Sequence, residues 1–150
     1  MFLATVMSRS DAPASEASVL VVDDDQALRG FFTTLFSKNG FSVDCAPDGR
    51  IAYDQLSHHN YSVILLDLMM PGVNGFELLE RIQRDSPALL DRVIVMTGAS
   101  QRSIEKLDTS RVWGMIRKPF DIDQLLSTTI ACAEKRSRVP GDRVPDRSSH

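Results

Sequence analysis

The segment Val63-Ile-Leu-Leu-Asp67-Leu-Met-Met-Pro71-Gly72-Val-Asn-Gly75 decides how the rest of the chain is interpreted. Four apolar residues run directly into the carboxylate of Asp67, and a Pro-Gly pair follows. A run of branched apolar residues bounded by turn residues is typical of a strand buried on both faces of a parallel sheet. The residue at the carboxyl end of such a strand lies at the edge where ligands bind. Asp67 is therefore either a functional carboxylate or merely the cap of the next turn or helix.

The remainder of the chain predicts strands and helices in alternation. The predicted strands are Val19–Val22, Phe41–Cys45 (shorter and alternating, as in an edge strand), Val63–Asp67, Val93–Met96 and Trp113–Arg117. A helix follows each strand. The predicted inner stripes are Leu28, Phe31, Phe32 and Leu35; Ile51, Ala52 and Leu56; Leu78, Leu79 and Ile82; Ile104 and Leu107; and Ile122, Leu125, Leu126, Thr129, Ile130 and Ala133. Five repeats of this kind predict an α/β fold, a parallel sheet with helices on both faces.

Helix boundaries are predicted from residue types that cap helices. Asp25 and Asp48 can begin the first two helices, and Gly40 can end the first in a left-handed conformation. Asn74 with Glu77 resembles a capping box, and Ser100 can begin the fourth helix.

Length and composition favour a single cytoplasmic domain. The chain has 150 residues, 43% of them hydrophobic, and a formal net charge of −3, which argues against a nucleic-acid-binding surface. Two cysteines, Cys45 and Cys132, are too few for a disulfide framework and are expected to be reduced. No apolar run approaches the roughly 20 residues of a membrane span, and a signal peptide is not expected. We predict a disordered arm at 1–17, a domain at 18–135 and a disordered tail at 136–150.

Polar residues of complementary types follow the buried strands. Asp23 and Asp24 follow the first strand, Asp67 ends the third, Thr97 follows the fourth and Lys118 the fifth. In a parallel sheet these ends meet at one edge, where clustered carboxylates repel one another unless a cation lies between them. Carboxylate oxygens suit Mg²⁺, and a metal with a lysine can neutralise a phosphoryl group in transfer. An aspartate can itself be the nucleophile and form an acyl phosphate.

Four fragments resemble the signature of response-regulator receiver domains: Val-Val-Asp23-Asp24, Leu-Asp67-Leu-Met-Met-Pro71-Gly72, Val-Met-Thr97-Gly98 and Lys118-Pro119-Phe120. The resemblance covers about Val19 to Lys135. It implies a three-layer (βα)5 doubly wound sheet with the flavodoxin-like strand order 2-1-3-4-5.

The resemblance also implies a role for each site residue. Asp67 would accept a phosphoryl group from a histidine kinase, a phosphotransfer protein or a small phosphodonor. Asp24, Asp67 and the backbone carbonyl of Met69 would bind Mg²⁺ directly, and Asp23 would bind it through water. Phosphoryl oxygens would contact Thr97 and Lys118. Gly98 would leave room beside them, and the Lys118–Pro119 bond is expected to be cis.

One position departs from the family pattern. Members of the family usually carry Tyr or Phe three residues before the lysine, as a switch coupled to the threonine, and this chain has Met115. Methionine can repack into space that Thr97 leaves, but ring burial cannot be the signal. The resemblance implies a readout on the face formed by the fourth helix, the fifth strand and the fifth helix. Trp113 marks either a partner surface or simple core packing.

The residue pattern is compatible with three functions. The first is a stand-alone receiver, not an enzyme in the ordinary sense, that assists its own aspartyl phosphorylation and dephosphorylation. It has no DNA-binding domain in this chain, an unknown protein target, no membrane partner and a possible homodimer. The second is a phosphohydrolase resembling the haloacid dehalogenase superfamily, with Asp23 and Asp25 as its first motif. The third is a pseudo-receiver that acts unphosphorylated as a scaffold.

Overall fold

Strands and helices alternate along the described part of the chain, which in this computed structural model comprises residues 17–68, 75–98 and 110–137. The predicted fourth helix, Met69, the Asn74 cap, and most of the arm and tail lie outside these ranges. The elements are β1 (Ala17–Val22), α1 (Gln26–Lys38), β2 (Phe41–Ala46), α2 (Gly49–His58), β3 (Val63–Asp67), α3 (Gly75–Asp85), a 3-10 helix (Pro87–Arg92), β4 (Val93–Thr97), β5 (Gly114–Arg117) and α4 (Ile122–Ser137). Helix α4 corresponds to the predicted fifth helix.

The described strands form a five-stranded sheet in the order β2-β1-β3-β4-β5, and all neighbouring pairs are parallel. This confirms the predicted fold class and strand order, and it confirms β2 as an edge strand. The prediction that this strand is shorter than the others was wrong, because β2 has six residues and β3 has five. The register places Val22 beside Leu66 and Asp67 beside Met96, while Thr97 lies beside Arg117. The carboxyl ends of β1, β3, β4 and β5 therefore meet at one edge.

Successive residues of the central strands point to opposite faces and enter two separate cores. The front core contains Ile64 and Leu66 of β3 and packs against α2 and α3, whereas the back core contains Val63 and Leu65 and packs against α1 and α4. All four of these β3 residues are completely buried. The alternation confirms a sheet covered on both faces, which is the predicted three-layer arrangement.

The predicted caps of the first two helices are present. The Asp25 carboxylate accepts hydrogen bonds from the backbone N–H groups of Ala27 and Leu28, and Asp48 accepts one from Ile51 N–H. Helix α1 ends at Asn39-Gly40, where Gly40 has φ of 91°. None of the helices within the described ranges combines the length and apolar character needed to cross a membrane.

Three residues predicted to face the core are exposed instead. Phe31, Ile51 and Ile122 are 39%, 40% and 43% exposed, so their assignment to the inner stripes was wrong. Phe31 and Ile51 each precede a fully buried residue, Phe32 and Ala52, and adjacent helical residues point about 100° apart. Ile122 is the first residue of α4 and precedes the buried part of that helix.

Candidate functional site

The carboxyl edge of the sheet brings the predicted acidic residues together. Asp23 follows β1 and is completely buried, Asp67 ends β3 and is 2% exposed, and Asp24 is exposed. One carboxylate oxygen from each of the three residues lies within 4.8 Å of the others. Asp23, Asp24 and Asp67, which we term the acidic cluster, could therefore hold a metal ion between them.

Backbone contacts fix Asp23 in this cluster. Its N–H donates to the carbonyl of Ala46 at 3.1 Å, and its Oδ1 accepts from Asp25 N–H at 2.9 Å. The Arg29 guanidinium donates to the Asp23 carbonyl oxygen at 2.9 Å and thereby ties α1 to the end of β1. Nothing in the sequence indicated this contact, because an arginine one turn into a helix has no pattern that shows it reaching back to a strand end.

Lys118 joins two strand ends at the same edge. Its Nζ lies 3.2 Å from Asp67 Oδ2, and its side chain is 29% exposed. Its backbone N–H donates to the carbonyl of Thr97 at 2.9 Å. Thr97 is completely buried at the end of β4, and the Lys118–Pro119 bond is cis, as expected. The aspartate, lysine and threonine are thus brought to one place.

The electrostatics of the acidic cluster favour a cation. Burial, supported by the negative charges of Asp67 and Asp24, raises the pKa of Asp23 to about 6, although the hydrogen bond from Asp25 N–H and the Lys118 charge act the other way. Asp23 Oδ2 is buried and has no hydrogen-bond partner among the described residues. A buried carboxylate oxygen normally has a partner, and hard oxygen ligands are those that Mg²⁺ prefers. These residues therefore fit a magnesium ion.

The other predicted residues flank this arrangement. Met115 lies in β5, half-buried against the front core, and Gly98 is exposed directly after β4. Trp113 packs partly against the back core, and Lys135 Nζ lies 5.3 Å from the centre of its ring. Met69, whose carbonyl was predicted to bind the metal, lies outside the described residues.

A family model for the response regulator receiver domain matches residues 19–130. The chain belongs to this family. The receiver is a signalling domain of two-component systems and not an enzyme in the ordinary sense. This membership is at odds with the haloacid dehalogenase alternative, and the structure gives an independent reason. Asp25, the second carboxylate that the alternative requires, caps α1 and is not a member of the acidic cluster.

Curated relatives of the receiver are longer proteins. This chain is 34% identical over 113 residues to the response regulator ArlR of Staphylococcus aureus, and the match covers 73% of this chain and 49% of the relative. It is 29% identical over 152 residues to the transcriptional regulatory protein TcrA of Mycobacterium tuberculosis, covering 95% of this chain and 58% of the relative. The chain spans about half the length of these relatives, and each match describes only a part of them.

Solved structures similar to the receiver have the same fold. The receiver domain of the Francisella response regulator 1452 has a TM-score of 0.71 and 30% identity, covering 80% of this chain and 98% of that one. The Thermotoga maritima response regulator TrrA, solved in complex with Mg²⁺-BeF, has a TM-score of 0.68 and 25% identity, covering 77% and 98%. Vibrio cholerae CheY4, a chemotaxis response regulator, has a TM-score of 0.69 and 26% identity, covering 79% and 99%.

Proposed function

We propose that this receiver accepts a phosphoryl group on Asp67 in a Mg²⁺-dependent reaction. The observation that carries the proposal is the position of the Asp67 carboxylate. It is nearly buried, lies 3.2 Å from the Lys118 ammonium and shares the acidic cluster with Asp23 and Asp24. The phosphodonor is a histidine kinase, a phosphotransfer protein or a small acyl phosphate.

The reaction is a phosphoryl transfer to a carboxylate. An oxygen of Asp67 attacks the phosphorus, and the bond between phosphorus and the histidine nitrogen or acyl oxygen of the donor breaks. The donor leaves with that bonding pair, and Asp67 becomes an acyl phosphate. Lys118 neutralises one phosphoryl oxygen as charge develops, and the Thr97 hydroxyl donates to another. By placing these groups in advance, the domain assists its own phosphorylation and dephosphorylation.

Asp24 and Asp67 would hold the metal directly, together with the Met69 carbonyl, and Asp23 would act through a bound water. Magnesium supplies positive charge beside the transferred oxygens. The orphaned Oδ2 of Asp23 supports this assignment, because a water bound to the cation would provide its missing donor.

Phosphorylation adds charge and three acceptor oxygens to Asp67. Thr97 moves toward the phosphoryl group, and Gly98 leaves room beside that group. The conformational population then shifts on the face formed by the fourth predicted helix, β5 and α4. Met115, half-buried in β5, would follow Thr97 by repacking, at the position where the family usually has Tyr or Phe.

Two features accompany the proposal. A cytoplasmic location suits Cys45 and Cys132, neither of which forms a disulfide within the described residues. The signal passes to a protein target. No feature of the described surface supports the predicted homodimer.

The test is an intact-mass measurement after incubation with acetyl phosphate and Mg²⁺. Wild type should gain one phosphoryl group, and chelation of the metal should abolish the gain. Asp67→Asn keeps the size and removes the nucleophile, so it should gain none. Equal labelling of both proteins would exclude Asp67 as the acceptor. An unlabelled wild type that binds Mg²⁺ would instead support the unphosphorylated scaffold.

A further inference from the structure

We infer that Gly75 is a positioning residue for the phosphoacceptor: because it lacks a side chain, the first turn of α3 can lie directly against the backbone that carries Asp67. The inference rests on the proposed function and adds a residue that would not touch the reacting atoms. Gly75 begins α3 and is buried.

The contact between Gly75 and the end of β3 leaves no space for a methyl group. A Cβ built on Gly75 would overlap the carbonyl oxygen of Asp67 and the Cα of Leu68, and it would lie 2.9 Å from the carbonyl carbon of Asp67. All three atoms belong to the main chain, so they cannot rotate away as the end of a side chain can. Close approach of two backbones is a situation that requires glycine.

Neither side of this contact can retreat easily. Asp67 is paired with Met96 of β4, and the N–H of Leu68 donates to the Met96 carbonyl at 3.1 Å. On the other side, α3 is anchored in the front core by Leu78 and two further residues that are at most 1% exposed, Leu79 and Ile82. A methyl group at position 75 must therefore displace either the Asp67 backbone or the whole first turn of α3.

Displacement of the Asp67 backbone changes the reaction geometry. The carboxylate would move relative to Lys118 Nζ, now 3.2 Å away, and relative to the other members of the acidic cluster. A misplacement of about 1 Å can cost roughly 100-fold in rate. We expect Gly75→Ala to slow phosphorylation by acetyl phosphate roughly 10- to 100-fold and to weaken Mg²⁺ binding by a similar factor.

Gly30 provides a matched control. It also lies in a helix, but it is exposed, and a Cβ built on it would meet nothing within 4 Å. Alanine is a better helix former than glycine, so Gly30→Ala should raise the melting temperature and leave the labelling rate and Mg²⁺ affinity unchanged. Gly75→Ala should lower all three. Equal, wild-type-like behaviour of both variants would overturn the inference.

A second control separates positioning from loss of stability. Phe36→Ala opens a cavity in the back core near the end of α1, on the other face of the sheet from the helix that begins at Gly75. At a temperature where both variants are folded by circular dichroism, Phe36→Ala should label and bind Mg²⁺ like wild type, whereas Gly75→Ala should not. Equal losses in the two variants would reduce Gly75 to a structural residue and overturn its positioning role.

If Gly75→Ala is unfolded in buffer, the same comparison is made with the double variant Gly30→Ala, Gly75→Ala. Trimethylamine N-oxide is added to it, because this solute favours the compact state. Recovery of folding without recovery of labelling and Mg²⁺ affinity supports the inference, and recovery of all three contradicts it. Failure of wild type to be labelled would refute the proposed function instead. Mg²⁺ affinity and melting temperature would then still decide whether Gly75 positions the acidic cluster.

Discussion

Asp23 is a residue whose protonation changes when the protein folds. Its pKa rises from 3.8 to about 6 because the folded protein buries it near two other carboxylates. Between these two pH values the folded state binds a proton that the unfolded state has released. The stability contribution of this group therefore increases as the pH falls from about 7 toward 4 and is lost as the pH rises through 6.

We predict that Asp23→Asn stabilises the metal-free protein at pH 7.5 by on the order of 2–3 kcal/mol, since one pKa unit corresponds to about 1.4 kcal/mol. The gain should shrink at pH 4.5, where Asp23 of the folded protein is already protonated. Urea unfolding in EDTA at the two pH values measures both quantities. A stability difference that is the same at pH 4.5 and pH 7.5 would contradict the assignment of the raised pKa to Asp23.

At the level of elements, the Asp25 carboxylate at the start of α1 has a structural role and does not belong to the acidic cluster. Asp25 caps the helix by accepting from two backbone N–H groups, those of Ala27 and Leu28. Asp25→Ala should cost about 1 kcal/mol of stability, and Asp25→Asn should cost little because asparagine also caps well. Neither variant should change Mg²⁺ affinity measured by calorimetry. A loss of affinity in Asp25→Asn would make Asp25 a metal ligand.

At the other end of α1, Gly40 has φ of 91°, and a Cβ there would meet no atom within 4 Å. Any cost of substitution therefore arises from backbone conformation and not from a clash. Gly40→Ala should lower the free energy of unfolding by about 1–2 kcal/mol, and Gly40→Asn should lower it less, because asparagine tolerates this conformation better. Chemical denaturation gives both values. Equal stability of Gly40→Ala and wild type would mean that the turn adopts another conformation.

The sequence predicted the buried strands more reliably than the buried faces of the helices. Uninterrupted apolar runs identified the buried strands, and their last residues identified the edge where Asp67, Thr97 and Lys118 meet. Helical periodicity was less decisive, since it assigned Phe31 to the core and missed the buried Phe36, which lies one turn after Phe32. Gly75 carried no signal, because its importance lies in the approach of Asp67, a residue eight positions earlier. The hydrophobic periodicity of one element does not predict which residues of another element it contacts.

At the scale of the whole molecule, a metal bound only to the folded state should stabilise every element together. A ligand at 100 times its dissociation constant adds about 2.7 kcal/mol to the free energy of unfolding. Mg²⁺ should therefore raise the melting temperature, and Asp24→Ala should remove most of the increase. Asp54→Ala is the control, because it removes an exposed carboxylate outside the acidic cluster. An unchanged Mg²⁺ response in Asp24→Ala would contradict the ligand assignment.

Lys118 takes part in two kinds of bonding at once. Its ammonium contacts the Asp67 carboxylate, and its amide is hydrogen-bonded to the last residue of β4. In protein labelled with nitrogen-15 lysine, the backbone amide of Lys118 gives one of four lysine signals. That signal should shift in the nuclear magnetic resonance spectrum when the charge on the Asp67 side chain changes. If Asp67 is phosphorylated as we propose, this native signal would follow the reaction in real time without a dye or a fused tag.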